Sequence, residues 1–418
     1  MTEQVTPLLR TVAVNSKALD MDPTNTANSL TIRAARSTSA WARIADDMME
    51  LFESRGCRQY SHVSTIYQCS GAHLISVEFA AAVQAAVQTW RHSHQSLEQM
   101  RDALHEPAKL VAESSIAVRD AYQESTGQSF EALSASLWVA PFVMLPQVFT
   151  PGQLPETPQG FLPVPDAEGT LVARVSAVVA MGALGMETVS YGSENDGALF
   201  VNLVVIAGEG RIADKSKGAM RGHTDAVTFP FRGQLDACNS DIAPSPDFVC
   251  LSGLRNPDGV RTTVVPMSDV LAALSAEHVD ELKKQQFDIR SQKTFIPGMN
   301  LILGSEHGID GGEILLDVGG ETWVRYSHSS IRVDEDEKPA AAEANAAFAA
   351  ACLQHCTSVV VEPGDILLVN NRLALHGRGD VGGEAGGESR WILRTYGLDT
   401  TELTKGQRYS KPGYMLFP

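Results

Sequence analysis

The sequence predicts a mainly β fold, a sandwich or jelly-roll barrel with flanking helices, and three observations carry that reading. Short runs rich in Val, Ile, Leu and Thr, punctuated by Gly, Pro, Asn or Asp, crowd the chain after Thr188. The first third instead places apolar residues at three- and four-residue spacing. Between the two textures, residues 149–170 hold five prolines and three glycines, a stretch that cannot continue a helix.

Taken in order, helices are expected over 40–53, 77–90, 95–104 and 112–128, where apolar positions recur between Lys, Arg, Glu and Gln. Another is expected over 171–184, ended near Gly185, since glycine suits the left-handed turn after a helix. Strands are expected in LFVNLVVIAG, DAVTFPF, DFVCLSGL, TTVVPM, GEILLDV, TWVRYSH, SVVVEPGDILLVNN and RWILRTYG. Helical inserts interrupt them near 268–286 and 340–355, the second behind an acidic run, 334–337, that reads as a solvated helix start. The resulting division is a helical N-terminal region, 1–150, packed on a barrel core, 151–418.

The chain has 418 residues, with 33 basic against 50 acidic side chains and a formal net charge of −17. A phosphate backbone repels such a chain, so nucleic acid is not an expected partner. The hydrophobic fraction, 44%, suffices for a full core, and no apolar run approaches the ~20 residues of a membrane helix. The start, MTEQVTPLLRTVAV, lacks the basic-then-apolar pattern of a secretory signal. Six cysteines without a CxxC pair make neither a disulfide framework nor a zinc finger. A cytoplasmic protein with reduced thiols and no membrane contact is expected.

Chemistry enters at Gly222-His223-Thr224-Asp225. Alone, a His-x-Asp/Glu triplet is weak, because chance supplies about one in a chain of this composition. His278-Val279-Asp280 is such a decoy: it lies in a helical pattern, where residues two apart diverge. In an extended segment His223 and Asp225 instead share one face, and the following DAVTFPF looks β. His376, beside a glycine at the end of a second β run, supplies another donor. Two imidazoles and one carboxylate leave metal positions open, the arrangement of non-haem Fe(II) oxygenases. A closed structural zinc site would want a fourth protein ligand. Arg390 and Arg394, four apart in one β run, can both point inward, and buried guanidinium groups imply anionic ligands.

With these residues the chain resembles the clavaminate synthase-like (TauD-related) branch of the Fe(II)/2-oxoglutarate dioxygenases, over about residues 151–397. The stretches that carry the resemblance are HTD, PDFVCLSGLRNPDGVRTTVV, EPGDILLVNNRLALHGR and SRWILRTYG. It implies a double-stranded β-helix barrel that uses Fe(II), 2-oxoglutarate and O2 to hydroxylate an unactivated carbon of an L-amino acid. By resemblance, His223, Asp225 and His376 are the catalytic metal ligands. Arg390 anchors the distal carboxylate of 2-oxoglutarate with Thr263, or with the adjacent Thr262. Arg394 takes the substrate's α-carboxylate and Glu194, in YGSENDG, its α-amino group. Asp225 disfavours halogenation, because related halogenases have Gly or Ala there. The chain departs from the pattern at Ser327, where relatives often carry an acid facing the substrate side chain. Asp334 and Asp336 follow shortly. The acidic balance favours a free basic amino acid such as L-lysine through long-range attraction. Two other classes share this pattern: a zinc-type hydrolase on the same three ligands, and a jelly-roll binding module without catalysis. The glycine-rich stretch 380–389 reads as a surface turn or a lid.

Overall fold

The computed structural model describes residues 57–59, 66–69 and 73–418. The helix expected over 40–53 lies outside the described residues. Two sheets dominate. The larger runs Cys57–Gln59, Ile66–Cys69, His73–Ser76, Phe142–Leu145, Ile366–Asn370, Phe248–Arg255, Trp391–Leu398, Glu187–Tyr191 and Met415–Leu416, with Val201–Val204 also paired to Trp391–Leu398. The smaller orders Thr357–Val360, Arg261–Pro266, Ala374–Arg378 and Met220–His223, all antiparallel.

Alternation along each strand assigns its faces. In Trp391–Leu398, Ile392, Tyr396 and Leu398 join Val249, Leu251, Val369, Val264 and Ala374 between the two sheets. Trp391 and Leu393 look the other way, into a core shared with the helices Val77–Ser93, Pro107–Thr126 and Glu168–Ala183. Each large buried side chain there contributes roughly 1.5–3 kcal/mol. The last of these helices is buried along almost its whole length, because its apolar residues run all round it rather than along one stripe. On the outer face of the smaller sheet, Val265 and Leu375 pack against the insert helices Met267–Ala273, Ala276–Leu282 and Pro339–Gln354.

Several elements differ from expectation for local reasons. The first insert is two helices, because Leu274 is extended and Ser275 caps the second through the His278 N–H. A small sheet of Phe287–Arg290, Gly308–Gly312 and Ile331–Arg332 and a helix Ile296–Leu303 follow where no element was expected. Residues before 151 are not helical throughout, since Phe142–Leu145 pairs with Ile366–Asn370 inside the larger sheet. The stretch DAVTFPF is not a strand. Ala226 takes a left-handed φ of 54° and the chain turns there, with the Phe229 N–H bonded to the Ala226 carbonyl. The glycine-rich stretch 380–389 is tied down by Thr157, whose N–H and hydroxyl donate to Gly387 and Ser389, and by the Arg255–Glu388 ion pair. Among the described residues no helix is long and apolar enough to cross a membrane.

Candidate metal centre

His376 stands directly opposite His223 in the antiparallel pairing of Ala374–Arg378 with Met220–His223. Their rings lie 4.4 Å apart, centre to centre. The close approach requires Gly377: a Cβ there would strike the Met220 carbonyl and lie 2.6 Å from Thr263 Oγ1. Asp225 reaches the pair from beyond the strand end, with Oδ1 3.4 Å from His223 Nε2 and Oδ2 3.5 Å from His376 Nε2. The shared strand face expected for His223 and Asp225 is therefore replaced by a turn, which brings the carboxylate back to the imidazoles.

One donor atom from each of the three residues falls within 4.8 Å of the others, the spacing of ligands around one ion. The Arg221 carbonyl lies 3.1 Å from His223 Nδ1, which fixes the ring with Nε2 towards the centre. Burial opposes the Asp225 charge, but the interactions with His376, His223 and Arg394 outweigh it and hold the carboxyl well below its usual range. Burial, aided by His223 and opposed by Asp225, lowers His376, the direction that favours the uncharged ring a metal requires. The decoy behaves as read: His278 lies in the helix Ala276–Leu282 and faces Glu343.

The two arginines share a face, as their spacing predicts, but their surroundings differ. Arg394 donates from Nη1 and Nη2 to both oxygens of Glu194, at 3.0 and 2.7 Å, and its Nη1 lies 3.7 Å from Asp225. Tyr396 also donates to Glu194, at 3.0 Å. Glu194 is 4% exposed, so it is not a solvated turn residue. Its loop is held by the consecutive left-handed residues Asn195, Asp196 and Gly197, and by Ser193, whose N–H and hydroxyl both donate to the Pro418 carbonyl. Arg390 is also 4% exposed, yet among the described residues no carboxylate pairs with it. Its Nη1 reaches only the Leu203 carbonyl at 3.5 Å, and its Nε has no partner. Burial and the neighbouring Arg378 push the guanidinium down to about 9. A buried cation without a counter-charge fits an anionic ligand.

Thr262, rather than Thr263, lies on the face that carries His376 and Arg378. Thr262 alternates with Val264, which packs between the sheets, while Thr263 alternates with Val265 on the outer side. Thr263 accordingly sits beside Gly377 and the Cys356 thiol. Ser327 is bridged to His223 and is buried, but brings no charge. Asp334 and Asp336 are exposed; Asp334 Oδ1 accepts from the backbone N–H groups of Asp336 and Glu337 instead of reaching the centre.

Residues 314–396 match the family described as "Taurine catabolism dioxygenase TauD, TfdA family". Over that stretch the chain is similar to the TauD-related dioxygenases. It is 27% identical over 272 residues to L-asparagine oxygenase of Streptomyces coelicolor, covering 63% of this chain and 74% of that protein. To L-lysine 3-hydroxylase of Catenulispora acidiphila it is 23% identical over 242 residues, covering 56% of this chain and 62% of that protein, less than two thirds of its length. The fold is that of the non-heme iron oxygenase OrfP, solved with Fe and alpha-ketoglutaric acid, at a TM-score of 0.61 and 19% identity, covering 83% of this chain and all of that one. OrfP was also solved with Fe and L-Arg. Sequence reasoning missed Tyr396, although it lies two residues after Arg394 and must share its face, and it missed the carboxamides of Gln292 and Asn371 behind Asp225.

Proposed function

We propose that this chain is a TauD-related dioxygenase and that it hydroxylates a free L-amino acid, using Fe(II), 2-oxoglutarate and O2. The observation that carries the reading is the buried Glu194–Arg394 pair beside Asp225. It offers one carboxylate and one guanidinium, the complements of an amino acid's ammonium and carboxylate. His223, Asp225 and His376 hold the iron, and Arg390 with Thr262 holds the distal carboxylate of 2-oxoglutarate. When bound, iron and co-substrate supply the oxidising chemistry with O2. The chain's own work is placement. Arg394 grips the substrate α-carboxylate bidentately, Glu194 takes the α-ammonium, and Tyr396 keeps Glu194 oriented.

Charge balance favours the free acid over a tethered one. A zwitterion adds no net charge to the buried pair, whereas an ester or thioester leaves an uncompensated ammonium. The expected screen result is succinate release and a mass gain of one oxygen with a single class of free amino acid. The corresponding methyl ester should lose at least ~30-fold in kcat/KM, about 2 kcal/mol. No amino acid eliciting succinate from protein loaded anaerobically with Fe(II) would sink the proposal.

L-Lysine and other basic amino acids are the first to test. The net charge of −17 attracts cations, and one relative is a lysine hydroxylase. Asparagine is the second, because Ser327 offers a hydroxyl rather than a carboxylate beside His223 and the asparagine oxygenase is the more similar of the two curated relatives. The threonine assignment has its own test. Thr262→Val should raise the 2-oxoglutarate KM by about 10- to 100-fold, the loss of a hydrogen bond to a charged group. Thr263→Val should leave it within twofold, and the reverse order would return the role to Thr263.

A further inference from the structure

We propose that Asn371 and Gln292 are positioning residues that set the backbone of Asp225, and through it the affinity and geometry of the metal site. The inference rests on the reading of Asp225 as a ligand. Asp225 sits outside any strand, so no ladder fixes it, and the next residue, Ala226, holds a left-handed φ of 54° that alanine does not choose by itself. Side chains do the fixing. Asn371 Oδ1 accepts from the Asp225 N–H at 2.8 Å, and its Nδ2 donates to the Asp225 carbonyl at 3.1 Å. Gln292 brackets the same residue: Nε2 donates to the Thr224 carbonyl and Oε1 accepts from the Ala226 N–H, both at 2.9 Å. Two carboxamides thus replace the missing strand partner on both sides of one ligand.

Each carboxamide must donate and accept at once, which a carboxylate of the same shape cannot do. Asn371 is itself immobilised. It is 2% exposed, its N–H donates to the Asp247 carbonyl at 2.8 Å, and its Nδ2 also reaches the Pro246 carbonyl at 3.1 Å. The anchor continues through Arg372, which pairs with Asp247 and stacks 4.5 Å over Trp323. Thr224 completes the frame by exchanging hydrogen bonds with the Tyr326 backbone. The polar backbone groups around Asp225 are therefore spoken for by residues far away in sequence, and its carboxylate inherits their rigidity.

The test uses the full-length, chelator-treated protein with Co(II) as probe, read by calorimetric Kd and by the visible d–d bands of the bound ion. Asn371→Asp should weaken Co(II) binding 10- to 100-fold and alter the band pattern, the usual effect of losing an outer partner of a ligand. Gln292→Leu, at a half-buried position, should weaken it about 10-fold. It decides the matter alone if Asn371→Asp does not fold. Thermal unfolding of the metal-free variants separates lost stability from lost ligand geometry. Folded variants with wild-type Kd and spectrum overturn the clamp, provided His223→Ala abolishes binding. Normal Co(II) binding by His223→Ala overturns the metal reading itself.

Discussion

Asp225→Ala is expected to abolish substrate-dependent succinate formation and to weaken Fe(II) binding by more than about 100-fold, beyond what losing an outer partner costs. Asp225 is the sole anionic member of the three-donor group, so its removal leaves a divalent cation facing two neutral rings and the Arg394 guanidinium. The same substitution should leave the fold intact, since the Asp225 backbone remains held by Asn371 and Gln292. Anaerobic titration with Fe(II) and 2-oxoglutarate, followed by a weak visible charge-transfer band, gives the readout. Retained activity in this variant would remove Asp225 from the ligand set. At low pH the wild type should approach the same state. The Asp225 carboxyl is held below its ordinary value, so its contribution is complete above the ordinary carboxylate pKa and is lost progressively as pH falls from there through the lowered folded value.

Arg390→Met carries the second large effect, and its two signs oppose. Without co-substrate the variant should be about 1–3 kcal/mol more stable, because a thioether of similar reach replaces a desolvated guanidinium that has no carboxylate partner among the described residues. With 2-oxoglutarate the order reverses. The KM should rise on the order of 100-fold, about 3 kcal/mol, as a buried charge pair is lost, and the thermal shift on adding co-substrate should vanish. Arg390→Lys should fall between, since an ammonium keeps the charge but not the planar fork. Melting curves with and without co-substrate test both signs in one experiment. A destabilised Arg390→Met that still binds 2-oxoglutarate normally would mean that Arg390 serves packing.

The sequence was most informative where a side chain's role follows from its own strand. His376 beside Gly377, and Arg390 four residues before Arg394, are legible because a period of two fixes which residues share a face. That rule also carried the two-sheet core, since Ile392, Tyr396, Val249 and Val264 alternate with residues packed elsewhere. It failed at DAVTFPF. Apolar and β-branched composition there reads as strand, but Ala226 turns left-handed because Gln292 and Asn371 satisfy the backbone that a ladder would have paired.

Sequence alone determined the inventory: an acidic chain with many short strands, two imidazoles, one aspartate and two arginines in a telling order. Tertiary structure decided the assignments that depend on partners distant along the chain. It turned Thr262 inward and Thr263 outward, joined Glu194 to Arg394 across 200 residues, and gave Arg390 no carboxylate among the described residues. The physical reason is that pattern encodes burial and periodicity, which are local, whereas a buried charge is settled by whichever group the fold brings within a few ångströms.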